Sequence, residues 1–137
     1  MTKVETSKFG LAPSLDDFAE IAEAAVKSLA EPFQSLAAGV SVRVSDVADP
    51  ETLEALFIED PYELTGLYSG VALTLEQHSA PSTEPAIVFL YRMPILDEWA
   101  QRGDVRLDEL IAHVVVHELG HHFGWSDEEM DAVLAGD

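Results

Sequence analysis

The chain has 137 residues, 47% of them hydrophobic, enough to bury a core and suited to one domain spanning residues 1–137. Seven basic against 26 acidic residues leave a net charge of −19, which repels phosphate backbones and anionic lipid and argues against a nucleic-acid or membrane partner. There is no cysteine, so a disulfide framework and a thiolate metal site are both excluded, and any zinc must be held by nitrogen and oxygen.

Residues 1–12 are polar and read as a loose N-terminal segment. They lack the apolar stretch of a signal peptide, and nothing later approaches a membrane span, so a cytoplasmic location is expected. Ser14 then caps a helix with Asp16 and Asp17 in its first turn. Leu15, Phe18, Ala22, Ala25, Val26 and Leu29 recur at helical spacing, and Pro32 marks the expected end. Val40, Val42 and Val44 alternate with Ser41 and Arg43, the pattern of a half-buried strand. Asp49-Pro50-Glu51 opens a short helix or turn, and Asp60-Pro61 punctuates again. Gly66 to Leu75 reads as extended, with Gly66 and Gly70 allowing a bend, a bulge or the close approach of another chain. Gln77 to Pro85 is a polar loop whose lone His78 reads as solvent-exposed.

Ala86 to Tyr91 is a continuous apolar run, as expected of a central strand buried on both faces. Arg92-Met93-Pro94 ends it, a helical turn follows over Ile95 to Gln101, and Arg102-Gly103-Asp104 forms a break. A main helix is predicted from about Val105 to Phe123 and a last one from Ser126 to Ala135. The order of elements fits an α+β fold: a small mixed sheet packed against the N-terminal helix and the main helix, with a short C-terminal helix.

The main helix carries the chemistry. It contains His117-Glu118-x-x-His121, with Gly124 and Asp127 at successive three-residue steps beyond. Each helical residue advances about 100°. With His117 at zero, His121 sits at about +40° and Glu118 at about +100°, so two imidazoles one turn apart can grip one ion while the carboxylate reaches a water beside it. His122, at about +140°, reads as a packing or surface residue. His113, at about −40°, shares the metal side but lies roughly 12 Å of helix rise from His121, too far to join it on one ion. It is at best an outer group lining the cleft. A third ligand must therefore come from outside this helix.

Gly124 supplies a helix stop. The turn brings Asp127 back as a candidate third ligand, with Glu128 or an added water as the substitute. Ser126 and Glu129 also form a capping box, which would hold a first-turn Asp127 rigidly. A di-iron reading of Glu118-x-x-His121 needs a second Glu-x-x-His, and there is none.

HELGHHFGWSD, His117 to Asp127, resembles the HExxHxxGxxD motif of small bacterial metallopeptidases called minimal zincins. Asp60 to Gly70 and Ala86 to Tyr91 are similar to that family's Gly-Leu-Tyr-x-Gly segment and its following strand. The resemblance covers roughly residues 12 to 135. It implies a minimal zincin-like fold, His117 and His121 as zinc ligands, Glu118 as base and Asp127 as third ligand. The pattern departs from the metzincins in holding Asp where they hold His, and no Met-turn can be placed; Met130 reads as a core residue.

These readings lead to a zinc-dependent peptidase in which Glu118 takes a proton from a zinc-activated water and passes it to the leaving amine. A substrate strand would add to the sheet edge along Leu67 to Leu75. The acidic surface suits a basic peptide or protein substrate, although it also serves solubility. Tyr68, Tyr91, Arg92 and His113 are chemical candidates for stabilising the oxyanion. The alternative is a zinc-binding interaction module without hydrolysis, and beyond it an inert domain with an accidental motif.

Overall fold

In a computed structural model that describes residues 11–70, 85–126 and 128–129, the first helix, α1 (Leu15–Lys27), starts where its cap requires. Ser14 Oγ accepts the Asp17 N–H at 3.1 Å, and Asp17 Oδ2 accepts the Ser14 N–H at 2.8 Å, a reciprocal capping box. The helix ends short of Pro32, because the Ser28 hydroxyl turns back to donate to the Ala25 carbonyl at 2.8 Å. Pro32 instead opens a short second helix, α2 (Phe33–Ala37). Phe18 and Ala22 of the expected stripe are fully buried, whereas Leu15 remains exposed at the open end of the helix.

Strand β1 (Val40–Ser45) shows the expected alternation, its valines half-buried and the residues between them exposed. Asp49 Oδ1 accepts the Thr52 N–H at 2.7 Å and starts α3 (Pro50–Ala55), and Asp60 caps a 3-10 turn at Pro61–Glu63. β2 (Gly66–Ser69) and β3 (Ala86–Tyr91) complete a three-stranded mixed sheet of order β1-β3-β2. β3 is central, parallel to β1 from Val40↔Ala86 to Ser45↔Tyr91 and antiparallel to β2 from Gly66↔Leu90 to Ser69↔Ile87. Val88 and Leu90 are fully buried on one face and Ile87 and Tyr91 nearly so on the other, as the unbroken apolar run demanded.

The turn expected after β3 is a longer helix, α4 (Arg92–Arg102), which begins directly at the strand's end. Pro94 falls in its first turn, where the missing N–H has no intrahelical partner to lose. Gly103, at φ 72°, ends it in the left-handed conformation, within the break expected there. α5 (Leu107–Phe123) is the main helix, packed against α1 on one side and against β2 and β3 on the other. The molecule is thus α+β with a small mixed sheet. His78, Asp127, Met130, the expected extension of β2 beyond Gly70 and most of the last helix lie outside the described residues. Among the described residues, no helix is long and apolar enough to cross a membrane.

One close approach sets the relation of β2 to α5. A Cβ on Gly66 would lie 2.8 Å from Val114 Cγ1, 3.2 Å from Glu118 Cγ and 3.3 Å from the Phe89 carbonyl oxygen. Real Cβ contacts do not reach the first distance, so the strand can lie this near only where the side chain is absent. Gly66→Ala should therefore lower stability by about 1–3 kcal/mol through overpacking. Val114→Ala in the same chain should offset part of that loss, so that the double variant falls short of the sum of the two singles in urea unfolding. Leu90→Ala, at the centre of the sheet, should cost about 2–5 kcal/mol in the same experiment.

Candidate metal centre

α5 starts with Asp108 and Glu109 in its first turn, which complement the positive end of the helix dipole. Leu110, Ile111, Val114, Val115, Val116, Leu119 and Phe123 are buried along it. Three consecutive valines would weaken an isolated helix, but their burial between α1 and the sheet outweighs that preference. The helix stops as its Gly124 predicts. Gly124 adopts φ 78°, ψ 22°; its N–H donates to the His121 carbonyl at 3.2 Å, and the Trp125 N–H donates to the Gly120 carbonyl at 2.9 Å. This pair of bonds is a Schellman motif. The Trp125 ring then lies 4.9 Å from Phe33 and 5.0 Å from Phe123, fixing the direction in which the chain leaves. The capping box beyond it forms as expected: Ser126 Oγ accepts the Glu129 N–H at 3.1 Å, and Glu129 Oε1 accepts the Ser126 N–H at 3.3 Å. Asp127 sits between these two residues in sequence and lies outside the described residues.

His117 and His121 present their rings 5.4 Å apart, nearly perpendicular at 85°. Ligand atoms of His117, Glu118 and His121 all fall within 4.8 Å of one another. Neighbouring nitrogens of a tetrahedral zinc site, with Zn–N bonds near 2.0–2.1 Å, stand ~3.3 Å apart, so small side-chain rotations suffice to close the pair on an ion. The donor set, nitrogen and oxygen without sulfur, is one that a divalent metal accepts. No other histidine or acid among the described residues joins this group.

Solvent reaches the cluster unevenly. The His121 side chain is 47% exposed and that of Glu118 only 13%, with 3.9 Å between His121 Nε2 and Glu118 Oε1. Burial pushes the Glu118 carboxyl above its ordinary value, and His121, His117 and a hydrogen bond from the Tyr68 backbone amide pull the other way. His113 is held below the usual imidazole range, first by burial, then by His117 and Arg102, while Glu98 opposes. It borders a groove of ≈ 730 Å³ along the flank of α5, with Phe33, Arg102, Val116 and Trp125. That groove excludes His117, Glu118 and His121, so the cavity His113 lines is not the one expected beside the metal cluster.

The four oxyanion candidates separate clearly. Arg92 is committed elsewhere: its Nε donates to the Pro13 carbonyl at 2.6 Å and its guanidinium pairs with Asp46 at 3.1 Å. The Tyr68 hydroxyl is hydrogen-bonded to His122 Nδ1 at 2.7 Å, on the flank of α5 turned away from the His117 and His121 imidazoles. Tyr91 is buried beside Phe89, and its hydroxyl is pushed up by burial first, then by Asp49 and Glu118. Tyr91 and His113 therefore remain near the cluster, and Tyr68 and Arg92 do not serve it through their side-chain tips. The Tyr68–His122 pair and the amide on Glu118 had no signature in the sequence: Gly66 allowed a bend, a bulge or the approach of another chain, and the close neighbour is this chain's own α5.

No curated protein matches the chain. Residues 37–136, well over half of its length and including the whole of β1 to α5, match the zincin-like metallopeptidase family. With this match, a mixed sheet packed on the motif-bearing helix and a His-Glu-His cluster on that helix, the chain belongs to the zincin-like metallopeptidases.

Proposed function

We propose that the protein is a zinc-dependent peptidase, with His117, His121 and Asp127 as ligands and Glu118 as general base. The observation that carries this reading is the convergence of the His117, Glu118 and His121 ligand atoms within 4.8 Å on a helix that the family match includes. Zinc held there would supply Lewis acidity, bringing the pKa of water toward neutrality and polarising a peptide carbonyl. Glu118 receives the proton on its carboxylate and delivers it to the leaving amine. Burial raises its pKa before any ion binds, which strengthens it as a base. The exposed rim at His121 leaves a path for substrate.

The register of β2 supports a substrate strand along its edge. Tyr91 N–H donates to the Thr65 carbonyl at 2.9 Å, so residues 65 and 91 form a hydrogen-bonded pair. Antiparallel pairs alternate, which turns the main-chain groups of Gly66 and Tyr68 away from β3. An extended peptide can pair with the amide and carbonyl of Gly66 and the carbonyl of Tyr68, in line with Glu118, while the Tyr68 amide stays on the Glu118 carboxylate. No Lys or Arg occurs between Arg43 and Arg92, a stretch that contains β2 and several acids, and this favours a basic peptide over an acidic one.

Glu118→Gln should keep about one equivalent of zinc and lose about 10²- to 10⁴-fold in cleavage of a mixed peptide library. His117→Ala should lose the zinc itself, measured by elemental analysis of protein purified without added metal. Wild-type protein that binds zinc and cleaves nothing, with Glu118→Gln indistinguishable from it, would leave the interaction-module reading in place.

A further inference from the structure

His122 is 6% exposed, on the side of α5 away from His117 and His121. A buried imidazole needs hydrogen-bond partners. It has one in the Tyr68 hydroxyl, 2.7 Å from Nδ1, with the two rings 5.5 Å apart. The same residue, Tyr68, donates its backbone N–H to the Glu118 carboxylate. One strand residue thus touches two consecutive turns of α5, through its main chain at Glu118 and through its side chain at His122.

The spacing allows this. Two residues of strand advance about 6.6 Å, and four residues of helix advance about 6.0 Å. Gly66 stands against Val114 and Glu118, and the strand then keeps step with the helix, so Tyr68 arrives beside His122. The outward turn of the Tyr68 amide, set by pairing of β2 with β3, aims it at the helix rather than into the sheet. A free glutamate side chain has about 1.5–2 kcal/mol of rotamer freedom to lose. Here the amide limits that freedom before any substrate arrives.

We propose that Tyr68 and His122 are positioning residues for Glu118: their side-chain hydrogen bond locks β2 in register with α5, and that register keeps the Tyr68 amide on the Glu118 carboxylate. The role of Glu118 itself rests on the peptidase reading above; the lock does not. A misplaced base loses rate while substrate binding is unaffected, because the groups that pair with substrate are unchanged.

The test is amide hydrogen exchange at residue 68, read by NMR with and without zinc, beside kcat and KM on the peptide library. Tyr68→Phe and His122→Leu should each keep zinc and fold, raise exchange at residue 68 about tenfold or more, and lower kcat about tenfold at unchanged KM. The double variant should be no worse than either single. His122→Asn, which places a hydrogen-bonding atom where Nδ1 stood, should restore both the protection and most of kcat. Wild-type exchange at residue 68 in Tyr68→Phe and His122→Leu would overturn the proposal. So would a loss of thermal stability in both with kcat untouched. If the wild type cleaves no peptide, the peptidase reading falls, while the exchange rates still decide whether the lock exists.

Discussion

A carboxylate drawn out of water has to be met by donors, and the contact between α5 and β2 is arranged around that requirement. Glu118 is mostly covered, and its burial raises the energy of the charged form. The compensation comes from two histidines on its own helix and from a backbone amide on the neighbouring strand. That amide is within reach only because Gly66 has no side chain to hold β2 away from Val114 and Glu118. The position of Glu118 thus depends on an atom that is missing from the strand.

The helix that carries the acid gains little from its own propensities. It is apolar nearly all round, with a run of β-branched residues at its centre, and it owes its stability to burial between α1 and the sheet. The strip holding His117, Glu118 and His121 is left partly toward solvent, as are Asp108, Glu109 and His113 nearer the start of the helix. At its end the Schellman turn and the cluster of Phe33, Phe123 and Trp125 direct the departing chain into the Ser126–Glu129 capping box.

Charge and shape act on different scales here. The surplus of acids sets up a field that acts over a long range and is not confined to one place on the surface. The outward main-chain groups of β2 act at hydrogen-bond range and define a line rather than a field. Glu118 lies beside that line.

Much of the local structure could be read directly from residues. Ser14, Asp49, Gly124 and the Ser126–Glu129 pair do what their chemistry predicts, because capping depends on neighbours three or four positions away. The same is true of the His117–His121 spacing and of β3, whose unbroken apolar run has no other comfortable place than the middle of a sheet. Pro94 misled only about where α4 begins, since the strand hands over to the helix without a loop. What the sequence could not contain was the pairing of β2 with α5. Tyr68 and His122 are 54 positions apart, and their meeting follows from strand order, register and the matched rise of strand and helix. Short-range rules placed the histidines and the acid on one helix; only the packing of that helix against an edge strand decided that Tyr68 serves Glu118 with its main chain and leaves its hydroxyl to His122.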